Sequence, residues 1–471
     1  MTEAALAPAP SLFRPAGSVL DLIGHTPMME VQGLDTGPCK LFLKLENQNP
    51  AGSIKDRIAL SIIEAAERDG KLKPGGTIVE ATAGNTGLAL TLVGARKGYR
   101  VLLVIPDKMS REKVQQVRAM GAEVRLTRSD VGRGHPDYYM DLAERLASEI
   151  PGGFHSDQFA NPANPQAHYE TTGPEIFAQM DGRVDAVSVG VGSGGTLTGL
   201  GRYFAEVSPN TQMILADPVG SVLAGIAEGR GPSPKGSYSV EGIGQDFVPD
   251  NADLGLVRRA YSIPDREAID TVRQLLQSTG VLAGSSSGTL IAAALRWCRE
   301  QTEPKRVVTF VCDTGAKYLS KVYNDAWLTA QGFAKRQLHG DLRDLVASRR
   351  AEGALVTAGP DDTLLTAYNR MRSNDVSQLP IMDDKGRLVG ILDDTDIVHV
   401  MDTDDISRTE RFQKPVRDAM ASNLHTVQVR EKIESLVPIF DRGEVAIVYD
   451  DDEFVGLITP VDLINHLRLN A

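Results

Sequence analysis

The stretch Pro50-Ala51-Gly52-Ser53-Ile54-Lys55-Asp56-Arg57 decides the fold of this chain. Lys55 follows a Pro/Gly turn and opens a segment whose apolar residues recur at helical spacing, which predicts a helix that begins at Lys55. The start of a helix carries the positive end of the helix dipole, and both this dipole and burial disfavour an ammonium group. A lysine amine that is neutral can form a Schiff base. The alternative is a solvated surface lysine, which is the common case for an isolated lysine.

Strand-like and helix-like segments alternate over most of the chain. Apolar or β-branched runs predict strands at residues 41–45, 77–81, 100–105, 123–127, 186–191, 213–216 and 306–312. Helical spacing predicts helices at residues 55–69, 88–97, 111–120, 197–206, 265–277 and 290–299. This alternation is typical of an α/β fold, in which βαβ units build a mostly parallel sheet with helices on both faces. We expect two α/β subdomains with a cleft between them, and ligands bind such folds at the carboxyl ends of the strands.

The composition restricts the class of partner and the cellular context. The chain has 471 residues and a formal charge of −12 with intermingled acids and bases, which disfavours nucleic acid and anionic membranes as partners. Cys39, Cys298 and Cys312 are far apart, which indicates reduced thiols in a cytoplasmic protein and neither disulfides nor a metal site. Residues 1–17 are rich in Ala and Pro and are predicted to be a flexible arm. No apolar run approaches the roughly 20 residues of a membrane-spanning helix.

A loop of small and hydroxyl-bearing residues follows the strand predicted at 77–81. It reads Ala81-Thr82-Ala83-Gly84-Asn85-Thr86-Gly87 and leads into a helix. Glycine lets the backbone approach a ligand closely, and the free N–H groups at a helix start can donate to an anion, so this loop can bind a carboxylate. An ordinary capped turn between a strand and a helix would have a similar sequence.

A second glycine-rich loop, Gly190-Val191-Gly192-Ser193-Gly194-Gly195-Thr196, also joins a predicted strand to a predicted helix. Its N–H groups can surround a phosphate, and Ser193 and Thr196 add hydroxyl donors. The loop also matches the GxGxxG pattern of dinucleotide-binding folds, and Asp217 follows about twenty residues later, as a ribose-binding acid would. A nicotinamide-dependent oxidoreductase is therefore an alternative, although it gives Lys55 no role.

A third loop, Gly284-Ser285-Ser286-Ser287-Gly288, opens the helix predicted at 290–299. A serine hydroxyl in this loop could hydrogen-bond the nitrogen of a pyridine ring without giving it a full proton. A ring nitrogen that stays neutral is a weaker electron sink, which favours β-elimination and replacement over transamination. The alternative is that the serines only cap the helix, which is a common role for serine at a helix start.

Taken together, residues 52–57, 82–87 and 192–196 resemble the fold-type-II pyridoxal phosphate enzymes of the cysteine synthase and cystathionine β-synthase group. The resemblance covers residues 18–333 and implies a catalytic domain of two α/β subdomains. Residues 164–169 and 323–327 are more similar to the cystathionine β-synthases than to the plain cysteine synthases.

This resemblance implies a role for each candidate residue. Lys55 would carry pyridoxal phosphate as an internal aldimine and act as the catalytic base, Asn85 would contact the 3′-hydroxyl group, and Ser286 would face the ring nitrogen. The residues implied to hold the phosphate are Gly192, Ser193, Gly194, Gly195 and Thr196. The residues implied to bind the substrates are Thr82, Ala83, Thr86, Gln158, Gly242 and Gly244.

The implied reaction is a β-replacement in which L-serine and L-homocysteine give L-cystathionine and water, as in transsulfuration. Two substrate-facing positions depart from the family pattern: Ala83 stands where many relatives have Ser, and Gln245 where animal and yeast cystathionine β-synthases usually have Tyr. An O-acetylserine sulfhydrylase, that is, a cysteine synthase, is therefore the alternative within this family. A sensor of adenosyl ligands with a dead catalytic domain is disfavoured by the intact Lys55, Asn85 and Ser286.

Two further expectations concern haem and assembly. The vertebrate enzyme of this family carries a haem on an N-terminal extension with Cys and His ligands. No haem is expected here because no Cys or His precedes His25. Family members pair as homodimers, so we expect a homodimer or a higher homo-oligomer.

The last third of the chain contains an internal repeat. Residues 388–398 and 454–464 share a glycine and an aspartate at identical spacing, which chance rarely produces. The repeat resembles a tandem pair of CBS domains with a βαββα pattern, and we predict the first copy at 334–400 and the second at 412–471.

The resemblance to CBS domains implies a regulatory nucleoside site. In such domains a Thr and an Asp three residues later bind ribose hydroxyls, and the second copy has Thr459 and Asp462. The first copy has Asp393 in place of the Thr, followed by Asp396. We therefore expect at most one such site, at the second copy, for S-adenosylmethionine or an adenine nucleotide. The alternative is a pair of domains that serves only for dimerisation.

Overall fold

The computed structural model describes residues 15–82, 84–107, 111–333, 339–346, 350, 355–374, 376–401 and 407–469. The chain divides into two compact units, Met1–Tyr323 and Asn324–Ala471. The first unit contains the three predicted site loops, and the second contains the internal repeat. Among the described residues, no helix combines the length and the apolar character that crossing a membrane requires.

The described strands of the first unit form two sheets. They are β1 (Met28–Glu30), β2 (Lys40–Lys44), β3 (Thr77–Ala81), β4 (Arg100–Pro106), β5 (Glu123–Thr127), β6 (Gly153–His155), β7 (Ala186–Gly190), β8 (Gln212–Pro218), β9 (Val257–Ile263) and β10 (Arg306–Phe310). One sheet has the order β1-β2-β10-β7-β8-β9, and the other has the order β5-β4-β3-β6. Neighbouring strands pair in parallel except for β1 with β2. The prediction of an α/β fold with two mostly parallel subdomains is therefore confirmed.

Helices follow most strands of both sheets. They are α1 (Lys55–Arg68), α2 (Asn85–Lys97), α3 (Arg111–Ala119), α4 (Tyr139–Glu149), α5 (Ala163–Ala167), α6 (Gly173–Gln179), α7 (Gly195–Val207), α8 (Leu223–Ala227), α9 (Asp265–Thr279) and α10 (Ser285–Arg299). The predicted starts of α2 and α10 at residues 88 and 290 were wrong, because apolar periodicity begins only after the first turn. The loop residues Asn85 and Ser285 are themselves first-turn residues, so their N–H groups have no partner within the helix.

The four-stranded sheet has a buried apolar layer on each face. On one face, Ile58 and Ile62 of α1 pack with Val93 of α2 in a single core cluster. On the other face, Val79 of β3 packs against Leu142 of α4. Residues of both faces are fully buried, as expected for a parallel strand covered by helices on both sides. This packing holds α1 against the sheet. The first residue of the helix, Lys55, lies beside the predicted site loops.

A network of buried charges lies directly after Lys55. The guanidinium group of Arg57 donates to Glu46 and to Glu175, with N···O distances of 2.7 Å to each. The ammonium group of Lys44 contacts the second carboxylate at 2.7 Å. Burial alone would raise the pKa of the Glu46 carboxyl, but the Arg57 charge lowers it below its usual value. These contacts connect α1 to the segment after β2 and to α6.

The second unit holds two small sheets and short helices. Its helices are α11 (Asp325–Ala330), α12 (Leu364–Asn374), α13 (Asp394–Met401), α14 (Arg408–Phe412), α15 (Val437–Phe440) and α16 (Pro460–Leu469). Its strands are β11 (Gln378–Met382), β12 (Leu388–Asp393), β13 (Thr426–Gln428), β14 (Ala446–Asp450) and β15 (Glu453–Ile458). Strands β11 and β12 form one antiparallel sheet, and β13-β14-β15 form the other. Each sheet has its own apolar core, so the repeat corresponds to two similar packed halves.

The segment that precedes the first half packs into the core of the second half. Leu342 and Val346 are buried together with Val427 and Val448. The backbone N–H of Leu342 also donates to the carbonyl of Val429 at 2.9 Å. The core of the second half therefore includes residues that precede the first half in the sequence as well as residues that follow it.

We expect Arg57→Ala to destabilise the first unit by about 3–5 kcal/mol, because it leaves the buried carboxylates of Glu46 and Glu175 without their guanidinium partner. The measurement is urea unfolding followed by circular dichroism. Arg100→Ala is the matched control, because the Arg100–Glu123 pair has a similar distance of 2.8 Å but is exposed, and it should cost less than about 1 kcal/mol. Equal losses for the two variants would contradict the structural role of the buried network.

Candidate active site

The three predicted loops converge on one cavity in the first unit. The residues that line it include Lys55, Asn85, Gly190, Gly192, Ser193, Gly194, Thr196, Glu241, Gly242, Ser286, Leu290 and Cys312. A wider groove between α1 and α5 contains none of the predicted site residues. The cavity therefore brings together residues that lie more than two hundred positions apart in the sequence.

Lys55 is the first residue of α1, and its side chain reaches into this cavity. No described residue forms a hydrogen bond or an ion pair with the Lys55 Nζ atom. Burial lowers the pKa of the amine, although the charge of Asp313 acts in the opposite direction. An amine that is partly desolvated and has no partner is available as a nucleophile or a base.

The Gly192–Thr196 loop has a closely packed backbone at the start of α7. Gly194 has a φ of +89°, which favours glycine, and a Cβ atom on Gly192 would lie 2.3 Å from the carbonyl oxygen of Gly242. The side-chain amide of Asn164 donates to Ser193 Oγ at 2.9 Å. Because side chains are excluded here, the N–H groups at the start of α7 are accessible to an anion.

A buried histidine supports the last residue of this loop. His168 Nε2 lies 3.2 Å from Thr196 Oγ1, and its Nδ1 lies 2.9 Å from Thr172 Oγ1. Burial lowers the pKa of His168 to about 3, and the charges of Arg57 and Lys55 act in the same direction, so the imidazole is neutral. His168 begins a π-helical turn, His168–Thr172, a feature that often occurs at functional sites. In the sequence, residues 164–169 indicate only a family likeness, and no local pattern gives His168 a role.

Two of the residues predicted to bind the substrate contact each other. Thr86 Oγ1 donates to Gln158 Oε1 at 2.7 Å, so these two predicted residues meet although they come from different loops. Thr82 Oγ accepts a hydrogen bond from the N–H of Gly84 at 3.1 Å and so supports the turn before α2. Ala83 lies outside the described residues.

The three serines of the third loop have three different roles. Ser285 Oγ accepts from the N–H of Glu241, and Ser287 Oγ accepts from the N–H of Cys312. Ser286 is buried in the cavity wall, with its hydroxyl group beside the Cys312 thiol. None of the three side chains caps α10, whose N-cap residue is Gly284. The alternative reading of the serines as helix caps was therefore wrong.

The loop that contains Gly242 and Gly244 closes one side of the cavity. Gly242 lines it with a φ of +86°, and the N–H of Gly244 donates to the carbonyl of Val191 at 2.8 Å. The side chain of Gln245 donates to the carbonyl of Gly192 at 3.1 Å. Gln245 therefore contacts the glycine-rich Gly192–Thr196 loop.

Known proteins match both units of the chain. Residues 19–313 match the family described as pyridoxal-phosphate dependent enzyme, and residues 345–403 and 416–469 match the CBS domain. The rabbit cystathionine beta-synthase is 38% identical over 397 residues, which cover 83% of this chain and 71% of the relative. The Dictyostelium discoideum cystathionine beta-synthase is 32% identical, and the match covers 96% of this chain and 92% of that relative. The chain belongs to the cystathionine beta-synthase family of pyridoxal-phosphate dependent enzymes.

Solved structures support the assignment of the catalytic fold. A hydrogen sulfide-producing enzyme from Fusobacterium nucleatum is 35% identical, with a TM-score of 0.60 over 65% of this chain and all of that chain. An O-ureido-L-serine synthase is also 35% identical, with a TM-score of 0.61 over 67% of this chain and all of that chain. Both proteins correspond in length to the catalytic part of this member of the cystathionine beta-synthase family.

The residues of the cavity fit pyridoxal phosphate, the cofactor of this family. Lys55 supplies an amine without a partner for the aldehyde, and the Gly192–Thr196 loop supplies backbone donors for the phosphate. The hydroxyl group of Ser286 and the amide of Asn85 also line this cavity. A lysine amine, a glycine-rich loop at a helix start and two polar side chains are thus all present in one cavity.

The predicted nucleoside residues Thr459 and Asp462, and the residues Asp393 and Asp396 at the equivalent positions of the first copy, lie at helix starts. Thr459 Oγ1 donates to Asp462 Oδ2 at 2.7 Å at the start of α16. Asp393 and Asp396 exchange equivalent backbone hydrogen bonds at the start of α13. A cavity is lined by Asp393 and Asp396 together with His425 of the second copy, whereas Thr459 and Asp462 do not line it.

We expect His168→Asn to weaken the binding of pyridoxal phosphate by about tenfold, because one hydrogen bond that positions Thr196 contributes roughly 1–1.5 kcal/mol. The measurement is a fluorescence titration of the apoenzyme with the cofactor. Tyr169→Phe is the matched control, because it alters the next residue of the same π-helical turn but removes only a bond to Glu206 at the surface. An unchanged affinity in the His168 variant would show that Thr196 does not depend on the imidazole.

Proposed function

We propose that this enzyme condenses L-serine with L-homocysteine to give L-cystathionine and water, by a β-replacement at the serine side chain. The observation that carries the proposal is the Lys55 amine, which has no partner among the described residues and shares one cavity with the Gly192–Thr196 loop. The curated relatives, which this chain matches over most of its length, are named cystathionine beta-synthase. The O-acetylserine sulfhydrylase reaction is the competing β-replacement.

Lys55 is proposed to bind the cofactor covalently and to move the proton of the substrate α-carbon. When bound, pyridoxal phosphate supplies an electron-withdrawing ring that stabilises negative charge on that carbon. The lowered pKa of Lys55 keeps a larger share of the amine neutral, which allows Nζ to accept this proton near neutral pH. Ser286 is proposed to face the ring nitrogen, because its buried hydroxyl group lines the same cavity.

The substrate carboxylate is proposed to bind at the start of α2. The free N–H groups of this helix, the hydroxyl group of Thr82 and the side-chain NH₂ group of Gln158 are donors for an anion, while Thr86 orients the Gln158 amide. The contact between Thr86 and Gln158 fixes the orientation of both side chains before substrate arrives. Ala83 is assigned to this group as well, on the family pattern alone.

The loop of Gly242 and Gly244 is proposed to cover the second substrate and to exclude water. Its preceding residue, Glu241, forms ion pairs with Lys113 of α3 and with Lys321. Burial would raise the pKa of Glu241, but the charges of Lys113 and Lys321 lower it. These ion pairs connect the four-stranded half of the catalytic unit to the loop over the cavity, which favours a closed site.

The proposal extends to the organisation of the whole chain. We assign residues 1–17 to an arm, 18–333 to the catalytic domain, 334–400 to the first CBS domain and 412–471 to the second. The CBS domains are proposed to bind S-adenosylmethionine or an adenine nucleotide at Thr459 and Asp462. The enzyme is proposed to act as a homodimer or a higher homo-oligomer in the cytoplasm, with two small-molecule substrates.

We expect cystathionine formation from L-serine plus L-homocysteine to exceed cysteine formation from O-acetylserine plus sulfide by about tenfold or more in kcat/KM. The reason is that relatives matched over 96% of this chain are named for the first reaction. The measurement is the initial rate of each product by mass spectrometry with the same enzyme preparation. A preference for O-acetylserine and sulfide would assign the chain to the cysteine synthase reaction instead.

We expect Lys55→Ala to lose the visible absorption of the bound cofactor and to lower the rate by about 10⁴-fold or more, because it removes both the covalent attachment and the base. The measurements are the absorption spectrum and the rate after addition of excess pyridoxal phosphate. Lys71→Ala is the control, because the Lys71 side chain is 66% exposed and pairs only with Asp69 among the described residues. An active, coloured Lys55 variant would refute the assignment.

A further inference from the structure

The side-chain amide of Asn85 is held at both ends by groups to which the sequence analysis assigned no role. Lys317 Nζ donates to Asn85 Oδ1 at 2.6 Å, and Asn85 Nδ2 donates to Asp313 Oδ2 at 2.8 Å. A lysine ammonium can only donate, so the oxygen of the amide must face Lys317. The NH₂ end of Asn85 is therefore directed to Asp313.

The NH₂ end of Asn85 has a second N–H group. Asp313 accepts only one of the two protons on Nδ2, and Asn85 itself lines the cavity that contains Lys55. The remaining N–H group is available to an acceptor in that cavity. Under the proposed function, this acceptor is the oxygen of the cofactor's 3′-hydroxyl group.

Lys317 and Asp313 lie behind Asn85 and do not line the cavity. Asp313 is 1% exposed, and its Oδ2 atom also accepts from the hydroxyl group of Tyr318 at 2.9 Å. A Cβ atom on Gly284 would lie 1.9 Å from Asp313 Oδ1, so the backbone leaves space only for this carboxyl group. Lys317 Nζ also donates to the carbonyl of Ala51 at 3.3 Å, in the stretch before Lys55. Both groups therefore occupy defined positions in the fold.

The groups around Lys317 shift the pKa of its amine in opposite directions. Burial lowers the pKa of its amine, and the charge of Lys113 does the same. The carboxyl groups of Asp313 and Asp56 raise it and so favour the ammonium form. Asp313 in turn has a raised pKa because of its burial, while Asn85 and Lys317 act to lower it. Lys317, Asn85 and Asp313 are thus connected by hydrogen bonds in a largely buried part of the first unit.

We propose that Lys317 is a positioning residue that acts through Asn85 on the cofactor's 3′-oxygen, directing an N–H group to this oxygen and stabilising it as an anion. The proposal rests on the proposed function, which places pyridoxal phosphate in this cavity. A hydrogen bond from a charged donor polarises an amide, so the N–H group at its other end becomes a stronger donor. The ammonium group of Lys317 also adds a positive charge close to the developing anion.

The electronic state of bound pyridoxal phosphate is visible in its absorption spectrum. When the ring oxygen is deprotonated, the lysine-bound cofactor absorbs in the visible range, and when it is protonated the cofactor absorbs in the near ultraviolet. The ratio of the two bands therefore measures the effect of Lys317 without reference to the rate of reaction.

The experiment compares three variants of the full-length holoenzyme with the native protein. Lys317→Met removes donor and charge, Lys317→Gln removes the charge but retains an N–H donor, and Lys317→Arg retains both. We expect the ratio of the visible to the near-ultraviolet band to fall about tenfold in the Met variant and several-fold in the Gln variant, because charge-assisted hydrogen bonds are about twice as strong as neutral ones. The Arg variant should remain within about twofold of the native ratio. Lys71→Met is the control, because this lysine is exposed.

The outcomes separate this inference from the proposed function. If native protein is coloured and the Met and Gln variants keep the native band ratio, the inference is refuted while the proposed function stands. If native protein lacks the visible band, or Lys55→Ala retains it, the proposed function fails first. If the Met variant does not fold, the Gln and Arg variants make the same comparison, and equal ratios in these two would refute a role of the Lys317 charge.

Discussion

The position of Lys55 depends on the buried ion pairs that begin two residues later. Arg57 bridges Glu46, which follows β2 and is fully buried, and Glu175 of α6, which is largely buried. A charged group in such a place is stable only with its partners present, so the network allows few alternative arrangements of α1. Because the first residue of α1 is Lys55, the same constraint that orients the helix also directs the amine into the cavity.

Both neutral and charged side chains surround the cavity. His168, which contacts the Gly192–Thr196 loop, is neutral because burial lowers its pKa to about 3, and burial raises the pKa of the Cys312 thiol to about 12, so neither group introduces a charge. Lys317 and Asp313 are joined through the Asn85 amide, and Glu241 forms ion pairs with Lys113 and Lys321. In a setting of low dielectric constant such charges act strongly on a bound cofactor. Under the proposed function, the electronic state of the cofactor depends on residues that surround the cavity as well as on those that line it.

In the second unit, the sequence reveals the repeat of two CBS domains. It does not reveal how the two copies pack. The common spacing of glycine and aspartate identified both CBS domains, and the packing of each half agrees with it. The spacing did not reveal that Leu342 and Val346 belong to the core of the second half. It also did not show that the cavity in this unit lies at Asp393 and Asp396. Both features arise because residues that the sequence assigns to one copy contribute to the packing or to the cavity wall of the other.

The sequence alone determined the α/β fold and the three loops that gather at one cavity. These signals are local, because periodicity, glycine and hydroxyl spacing are complete within a loop and the helix that follows it. Tertiary structure alone decided which groups support those loops. Asp313 and Lys317 lie 228 and 232 positions from Asn85, and His168 lies 28 positions from Thr196. No spacing within a segment encodes such contacts, since they form only when the packed sheets bring distant strand ends to the same edge.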